Sequence, residues 1–202
     1  NYVRGVASVL QDAGYELAPI DVAIYGNVPI GAGLSSSAAM EVAAAQAFCQ
    51  ASGLEIEKKE LAQLCQSAEN DFVGVNCGIM DQFVSLYAEK DRAVLIDCRS
   101  LEHRLLPLDT EEVKVVICDT KVEHELGDSA YNERRASCER AAAALGEVMA
   151  GVSQLRDVSR EQFQRYEHLL DEVTAKRARH VVNENGRVRW AVEKLEDEDY
   201  EG

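Results

Sequence analysis

Hydrophobic residues follow a helical spacing at the start of the chain and an alternating spacing soon after it. Val3, Val6 and Leu10 lie three and four positions apart, which predicts an amphipathic helix. Apolar residues then alternate with other residues from Ile20 to Val28, which is the pattern of a strand. An alanine-rich run over residues 38–51 predicts a second helix. The chain is therefore expected to begin with a helix, a strand and another helix.

The same pattern divides the rest of the chain into a mixed middle part and a helical end. Residues 57–70 place apolar side chains on one helical face. The segments FVSLYA, AVLIDC and HRLLPL predict the strands of a β-meander, and KVVICDT (114–120) predicts a further strand. Helices are then predicted over 129–145, 159–171 and 174–196, the last with a weak point at Gly186. This order predicts an α+β fold rather than a doubly wound sheet.

Composition and charge limit the partners of the chain. Its 202 residues are 47% hydrophobic, which is enough for one large or two small domains. The formal net charge of −15 argues against nucleic acid or an acidic membrane as a partner. The same charge repels ATP, so a nucleotide site would need local hydrogen-bond donors and a divalent cation.

The cysteines and the two ends of the chain suggest a location and a boundary. Six cysteines occur without any CxxC pair, which favours free or buried thiols in a reducing cytoplasm. No apolar stretch is long enough for a membrane span, and no signal peptide is visible. Asn1 lies inside a predicted helix and Gly202 directly follows one, so we expect the chain to be a fragment.

The stretch PIGAGLSSSAAM (29–40) joins the predicted strand to the alanine-rich helix. Its two glycines permit a tight turn, and its three serines fall at the helix start, where side chains cap and free N–H groups point outward. Such a turn can bind an anion such as phosphate; the alternative is a well-capped helix after a turn. The stretch lacks the lysine of a Walker A loop, the third glycine of a dinucleotide fingerprint and the last glycine of an esterase elbow.

Two acids further along the chain could carry chemistry. Glu69 lies in SAENDFVG at the end of a predicted helix, and Asp81 lies twelve positions later in CGIMDQF. Each of them alone would usually be a solvated surface charge. Asp81, however, has the apolar neighbours Ile79, Met80 and Phe83, and a carboxylate in that setting usually has a partner or a function.

These motifs together resemble those of the GHMP small-molecule kinases. PIGAGLSSSA is similar to the second motif of that superfamily, and CGIMDQF, LIDCRSLEHRLLPL and SAYNERR resemble its galactokinase branch. The resemblance implies an α+β GHMP-kinase fold, with an incomplete N-terminal ATP-binding domain over residues 1–112. This domain would be a β-α region like domain 2 of ribosomal protein S5. Residues 113–202 would be the mainly helical first part of the C-terminal domain. The implied reaction is ATP-dependent phosphorylation of galactose at its C1 hydroxyl, which gives galactose 1-phosphate.

The resemblance also implies a role for individual residues. Asp81 matches the catalytic aspartate, and Ser37 and Glu69 match the ligands of Mg²⁺. The residues that match the loop around the triphosphate of ATP are Gly31, Ala32, Gly33, Leu34, Ser35, Ser36 and Ser37. The residues that match contacts to galactose are Gly78, Asp81 and Tyr131.

Two motifs of the superfamily have no counterpart in this chain. The first supplies sugar contacts and a transition-state arginine, and the third supplies part of the phosphate site. We therefore expect the 202-residue chain alone to be inactive and to self-associate through unpaired strand edges. Two alternatives stay open: a non-catalytic regulator that senses galactose and ATP on the same scaffold, and another GHMP kinase, which CGIMDQF and SAYNERR oppose.

Overall fold

The computed structural model describes residues 1–118 and 129–201, which fall into two compact units. Unit 1 comprises Asn1–Gly127 and unit 2 comprises Asp128–Gly202. The predicted domain boundary between residues 112 and 113 stays a prediction. Each unit has its own hydrophobic core.

Over residues 1–118, unit 1 consists mainly of helices, followed by one β-hairpin. Its helices are α1 (Tyr2–Asp12), α2 (Ser36–Ser52), α3 (Lys58–Ser67), a π-helical turn (Ala68–Val73) and α4 (Met80–Tyr87). Strands β1 (Arg92–Ile96) and β2 (His103–Pro107) pair antiparallel, with Val94 opposite Leu105. The predicted helices at the start of the chain, over 38–51 and over 57–70 are confirmed, apart from the π-helical end of the last one.

The core of unit 1 is formed by α1 to α4. Val6 and Leu10 from α1, Leu61 from α3, and Phe83 and Leu86 from α4 are all buried in it. The ring of Phe83 stacks on Tyr87, with the two ring centroids 4.2 Å apart. In this core α4 packs against α2 and α3.

The segment FVSLYA is helical, so its prediction as a strand is wrong. Six consecutive residues that include several apolar ones fit a buried strand and a buried helix equally well. Here Ile79, Phe83 and Leu86 lie four and three positions apart and point into the core together. Of the three strands predicted for the β-meander, the described residues form two, which pair as the β1–β2 hairpin.

Two further strand predictions are also wrong for the residues that the structure describes. Residues 20–28 form no strand, although their apolar alternation is clear, and Val22, Ile24 and Val28 are exposed. Residues 114–118 form no strand either; positions 119 and 120 of that prediction lie outside the described residues. A strand needs a hydrogen-bonded neighbour, and the sheet in the described part of the chain contains β1 and β2 alone.

Unit 2 is helical, as predicted. It contains α5 (Ser129–Gly146), α6 (Arg160–Tyr166) and α7 (Glu172–Glu196), with short 3₁₀ turns at Leu155–Asp157 and Glu167–Leu169. Asp171 begins α7 by accepting hydrogen bonds from the N–H groups of Val173 and Thr174. The predicted weak point at Gly186 is wrong, because α7 continues through it without a break.

The fold class is α+β: in the residues that the structure describes, both units contain helices and unit 1 contains one small antiparallel sheet. Within residues 1–118 and 129–201, no helix combines the length and the apolar character that crossing a membrane requires.

We expect the substitution Phe83→Ala to lower the free energy of unfolding of unit 1 by about 3–5 kcal/mol, because it removes a fully buried ring and leaves a cavity. Urea titration followed by far-ultraviolet circular dichroism measures this change. Tyr25→Ala is the control: its side chain is 96% exposed, so its effect should stay within about 0.5 kcal/mol. Equal effects of the two variants would contradict the core described above.

Candidate active site

The glycine-serine loop, residues 29–37, runs into the first turn of α2, so that its last two residues are the first two of that helix. Gly31 and Gly33 have φ angles of +74° and +73°, a region that favours glycine. No heavy atom lies within 4 Å of a Cβ placed on either glycine, so the backbone of the loop faces open space. Gly33 is exposed, and the other loop residues implied to contact phosphate are half-buried: Gly31, Ala32, Leu34, Ser35, Ser36 and Ser37.

The start of α2 leaves its first N–H groups available. Ser35 precedes the helix in the left-handed region, with φ of 54°, and its side chain makes no capping hydrogen bond. The expectation that the serine side chains cap this helix is therefore wrong for Ser35, whose backbone is left-handed instead of extended as in a typical N-cap residue. The first turn of α2 holds no acidic residue. Free N–H groups and the positive end of the helix dipole at this point favour an anion.

Glu69 is almost fully buried in the π-helical turn, where it is 4% exposed. Its main-chain carbonyl accepts hydrogen bonds from the N–H groups of Gly74 (3.0 Å) and Val75 (3.1 Å). Its side-chain Oε2 accepts hydrogen bonds from Gln82 Nε2 (2.7 Å) and from the Cys77 thiol (3.4 Å). Single π-helical turns occur often at functional sites.

Gln82 connects Glu69 to a second buried acid, Glu41. The Nε2 group of Gln82 also donates to Glu41 Oε2 at 3.0 Å, and both side chains have no exposed surface. We call Glu41, Glu69, Cys77 and Gln82 the acid-amide cluster. Two oxygens in it, Glu41 Oε1 and Gln82 Oε1, are buried without a hydrogen-bond partner.

Neither Glu41 nor Gln82 was among the residues predicted from the sequence to form the site. Glu41 is the one charged residue between Ser36 and Ser52 in the alanine-rich helix, and it lies on the same face as buried Ala38 and Ala45. A single acid on the alanine-rich face of a predicted helix was the feature of the sequence that could have identified Glu41. Gln82 carried no comparable signal, because glutamine next to an acid is common on exposed helix surfaces.

Burial raises the pKa of two members of this cluster. It raises the pKa of Glu41 to about 7; the hydrogen bond from Gln82 opposes the shift and the charge of Glu69 adds to it. Burial, with Glu69 next, raises the pKa of the Cys77 thiol to about 12. Burial and the nearby Glu69 and Glu41 charges also raise the pKa of Tyr2. A thiol with such a pKa is protonated at neutral pH and is not a nucleophile.

Asp81 lies in the first turn of α4, directly before Gln82, and is half-buried. Its main-chain carbonyl accepts a hydrogen bond from the Ser85 hydroxyl at 2.8 Å. Gly78 is exposed in the irregular segment before α4, with open space where a Cβ would lie. Tyr131 lies on α5 in unit 2 and is 51% exposed. The structure thus joins Glu69 to the residue that follows Asp81 but does not test the predicted roles.

The chemistry of Glu69 and Ser37 fits a hard divalent cation. Magnesium prefers oxygen ligands, and these two side chains offer a carboxylate and a hydroxyl. Glu69 uses Oε2 for its hydrogen bonds, and no described residue donates to its Oε1. Residues 1–118 and 129–201 contain no group of three or more His, Cys, Asp or Glu side chains that could hold a metal ion by themselves. A cation held here would need other ligands as well.

A family model and two curated proteins that match this chain all concern GHMP kinases or galactokinases. Residues 1–89 match the family described as GHMP kinases N terminal domain. The galactokinase of Roseiflexus sp. (strain RS-1) is 48% identical over 196 residues, covering 97% of this chain and 50% of that protein. The galactokinase of Thermotoga neapolitana is 40% identical over 201 residues, covering 100% of this chain and 55% of that protein. The chain thus spans about half the length of these curated relatives.

A solved structure is similar as well. The crystal structure of Lactococcus lactis galactokinase complexed with galactose matches with a TM-score of 0.83 and 35% sequence identity. The match covers 96% of this chain and 50% of that one.

The raised pKa of Glu41 predicts a pH-dependent stability. The folded protein holds this proton more tightly than the unfolded chain does, so the free energy of unfolding should fall as the pH rises from about 4.3 to about 7. Glu41→Gln removes the titrating group. We expect the stability of the wild type relative to Glu41→Gln to fall by on the order of 2–3 kcal/mol over that range. Urea titrations at several pH values measure it; parallel pH profiles would contradict the prediction.

Proposed function

We propose that this chain, whose residues 1–89 match the GHMP kinase N-terminal domain family, is part of a galactokinase. The enzyme would transfer the γ-phosphoryl group of ATP to the C1 hydroxyl of galactose. Similarity to galactokinases along almost the whole chain supports this reaction over those of other GHMP kinases. We further propose that residues 1–112 are the incomplete N-terminal domain and residues 113–202 the incomplete start of the C-terminal domain.

One structural observation supports the proposal most directly: the hydrogen bond from Gln82 to Glu69. It ties a buried carboxylate that can bind a cation to the helix turn that carries Asp81. Phosphoryl transfer requires little covalent chemistry from the protein, and depends on positioning and on stabilising charge. In the proposed site, Glu69 would hold the cation and Asp81 would orient the attacking hydroxyl. The bond from Gln82 to Glu69 would keep these two acids in a fixed arrangement, which meets this requirement.

The glycine-serine loop would bind the triphosphate of ATP. Its exposed backbone and the free N–H groups at the start of α2 can donate to phosphate oxygens, and the helix dipole favours their negative charge. These local donors offset the repulsion expected from a net charge of −15. Ser37 and Glu69 would hold Mg²⁺, which when bound neutralises charge on the phosphates.

Asp81 would orient the C1 hydroxyl of galactose and accept its proton. Gly78, with no side chain and open space around it, leaves room for the sugar next to Asp81. Tyr131 would add a contact to the sugar through its exposed side chain. We also propose a cytoplasmic location, which the supply of ATP and the six free cysteines support.

The test of this function is a phosphotransfer assay on a full-length protein that carries this chain, with galactose, homoserine and mevalonate as acceptors. We expect galactose alone to be phosphorylated. Asp81→Asn removes the charge and the proton acceptor but keeps the size, so turnover should fall by roughly two to four decades while ATP binding changes only a few-fold. An ADP-release assay measures turnover and calorimetry measures binding.

Asp71→Asn is the matched control for Asp81→Asn. Asp71 is an exposed aspartate in the π-helical turn, so its loss should leave turnover within about twofold. Turnover of Asp81→Asn within threefold of the wild type would remove Asp81 from the proposed role. Phosphorylation of homoserine or mevalonate in place of galactose would refute the proposed substrate.

Glu69→Gln should weaken binding of Mg²⁺·ATP more than binding of metal-free ATP, because it removes an anionic oxygen ligand. Isothermal titration with magnesium and with a chelator separates the two affinities. Glu55→Gln, which changes an exposed glutamate between α2 and α3, should alter neither. Equal losses in both titrations would mean that Glu69 supports the fold and does not bind the cation.

A further inference from the structure

Gln82 links three separate segments of unit 1 through one amide group. Its Nε2 donates to Glu41 on α2 at 3.0 Å and to Glu69 in the π-helical turn at 2.7 Å, while its own backbone belongs to α4. All three side chains are buried. A single side chain therefore fixes the distance between α2, the π-helical turn and α4.

This arrangement is costly for stability. Two carboxyl groups lie in the core, and no Lys, Arg or His of the described residues is hydrogen-bonded to either of them. Glu41 Oε1 and Gln82 Oε1 are also left without partners. Apolar side chains of similar size would avoid the desolvation cost, so packing alone does not account for these residues.

The three linked segments carry the three parts of the proposed site. Glu41 lies one helical turn after Ser37 on α2, Glu69 is the other proposed cation ligand, and Gln82 directly follows Asp81. Because neighbouring helix residues point about 100° apart, fixing Gln82 inward also fixes the direction of Asp81. The amide thereby sets the position of Asp81 relative to both proposed ligands.

We propose that Gln82 and Glu41 are positioning residues for phosphoryl transfer, which hold Asp81, Glu69 and the start of α2 in one geometry. The inference rests on the proposed kinase function and adds two residues to it. Neither residue touches the reacting atoms; Gln82 acts through its bond to Glu69 and its place beside Asp81, and Glu41 acts through its bond to Gln82.

The test uses Gln82→Met in the full-length protein, since methionine keeps the length and removes both hydrogen bonds. We expect kcat for galactose to fall about tenfold to a hundredfold, the cost of misplacing a catalytic group by about 1 Å. The KM for galactose should change less than threefold. Calorimetry should show weaker Mg²⁺·ATP binding with little change in metal-free ATP binding, because Glu69 loses its orientation.

Leu86→Met is the matched control for a purely structural effect. Leu86 is buried one turn further along the same face of α4, and it makes no bond to the acid-amide cluster. Both methionine variants should lower the melting temperature or leave it unchanged, but only Gln82→Met should lower kcat. Equal loss of kcat in the two variants would mean that any disturbance of α4 suffices, and would overturn the inference.

Glu41 provides an independent pair of variants, which decides the matter if Gln82→Met does not fold. Glu41→Gln keeps an oxygen that can accept from Gln82 Nε2, so kcat should stay within threefold of the wild type. Glu41→Met removes that acceptor and should lower kcat at least tenfold. Similar kcat values for the two variants would overturn the role of Glu41.

The outcomes separate this inference from the function on which it rests. A wild-type protein that phosphorylates none of the three acceptors would refute the proposed function. A wild-type protein that phosphorylates galactose, together with Gln82→Met within threefold of its kcat, would leave the function intact and refute the positioning role.

Discussion

The organisation of unit 1 depends on one buried amide between two buried acids. Gln82 offers both carboxyl groups a hydrogen bond in a core where Glu41 has no exposed surface and Glu69 is 4% exposed. Without that amide, Glu41 would lose its hydrogen bond and Glu69 would keep only the one from the Cys77 thiol, and a buried unpaired carboxyl group costs more than one in water. The mutual placement of these segments is thus set by polar bonds, with the apolar core around Phe83 supplying most of the stability.

Unit 1 also contains a segment that can bind an anion in spite of the negative charge of the chain. A chain with a net charge of −15 is a poor partner for an anion when viewed as a whole. The glycine-serine loop offers a local exception, because its backbone is open and the first turn of α2 contains no acid. Glu41 lies one helical turn after Ser37 on α2, and both it and Glu69 are buried and hydrogen-bonded to Gln82. In the proposed function, a divalent cation held by Glu69 would add a positive charge that attracts phosphate.

The strand predictions show the limits of inferring a strand from a hydrophobic pattern. Val22, Ile24 and Val28 alternate as a strand should, and Val115 to Ile117 are apolar, yet all of these side chains are exposed in the described structure. Alternation describes a segment that can pair, whereas a strand exists only when a neighbour supplies hydrogen bonds. The prediction of FVSLYA as a strand was wrong for a different reason. The helical spacing of its buried residues Phe83 and Leu86 becomes clear only when Ile79 is included.

The sequence by itself determined the long helices, the turn before α2 and the resemblance to GHMP kinases. Each of these depends on neighbours along the chain: helical periodicity, glycine at positive φ, and a contiguous motif. The predicted roles of Asp81, Glu69 and Tyr131 also came from motifs. Only the tertiary structure revealed Glu41 and Gln82, because their significance lies in burial and in bonds across 41 and 13 positions of the chain. Hydrogen bonds between distant segments leave no periodic trace in the sequence, so folding alone brings such groups together.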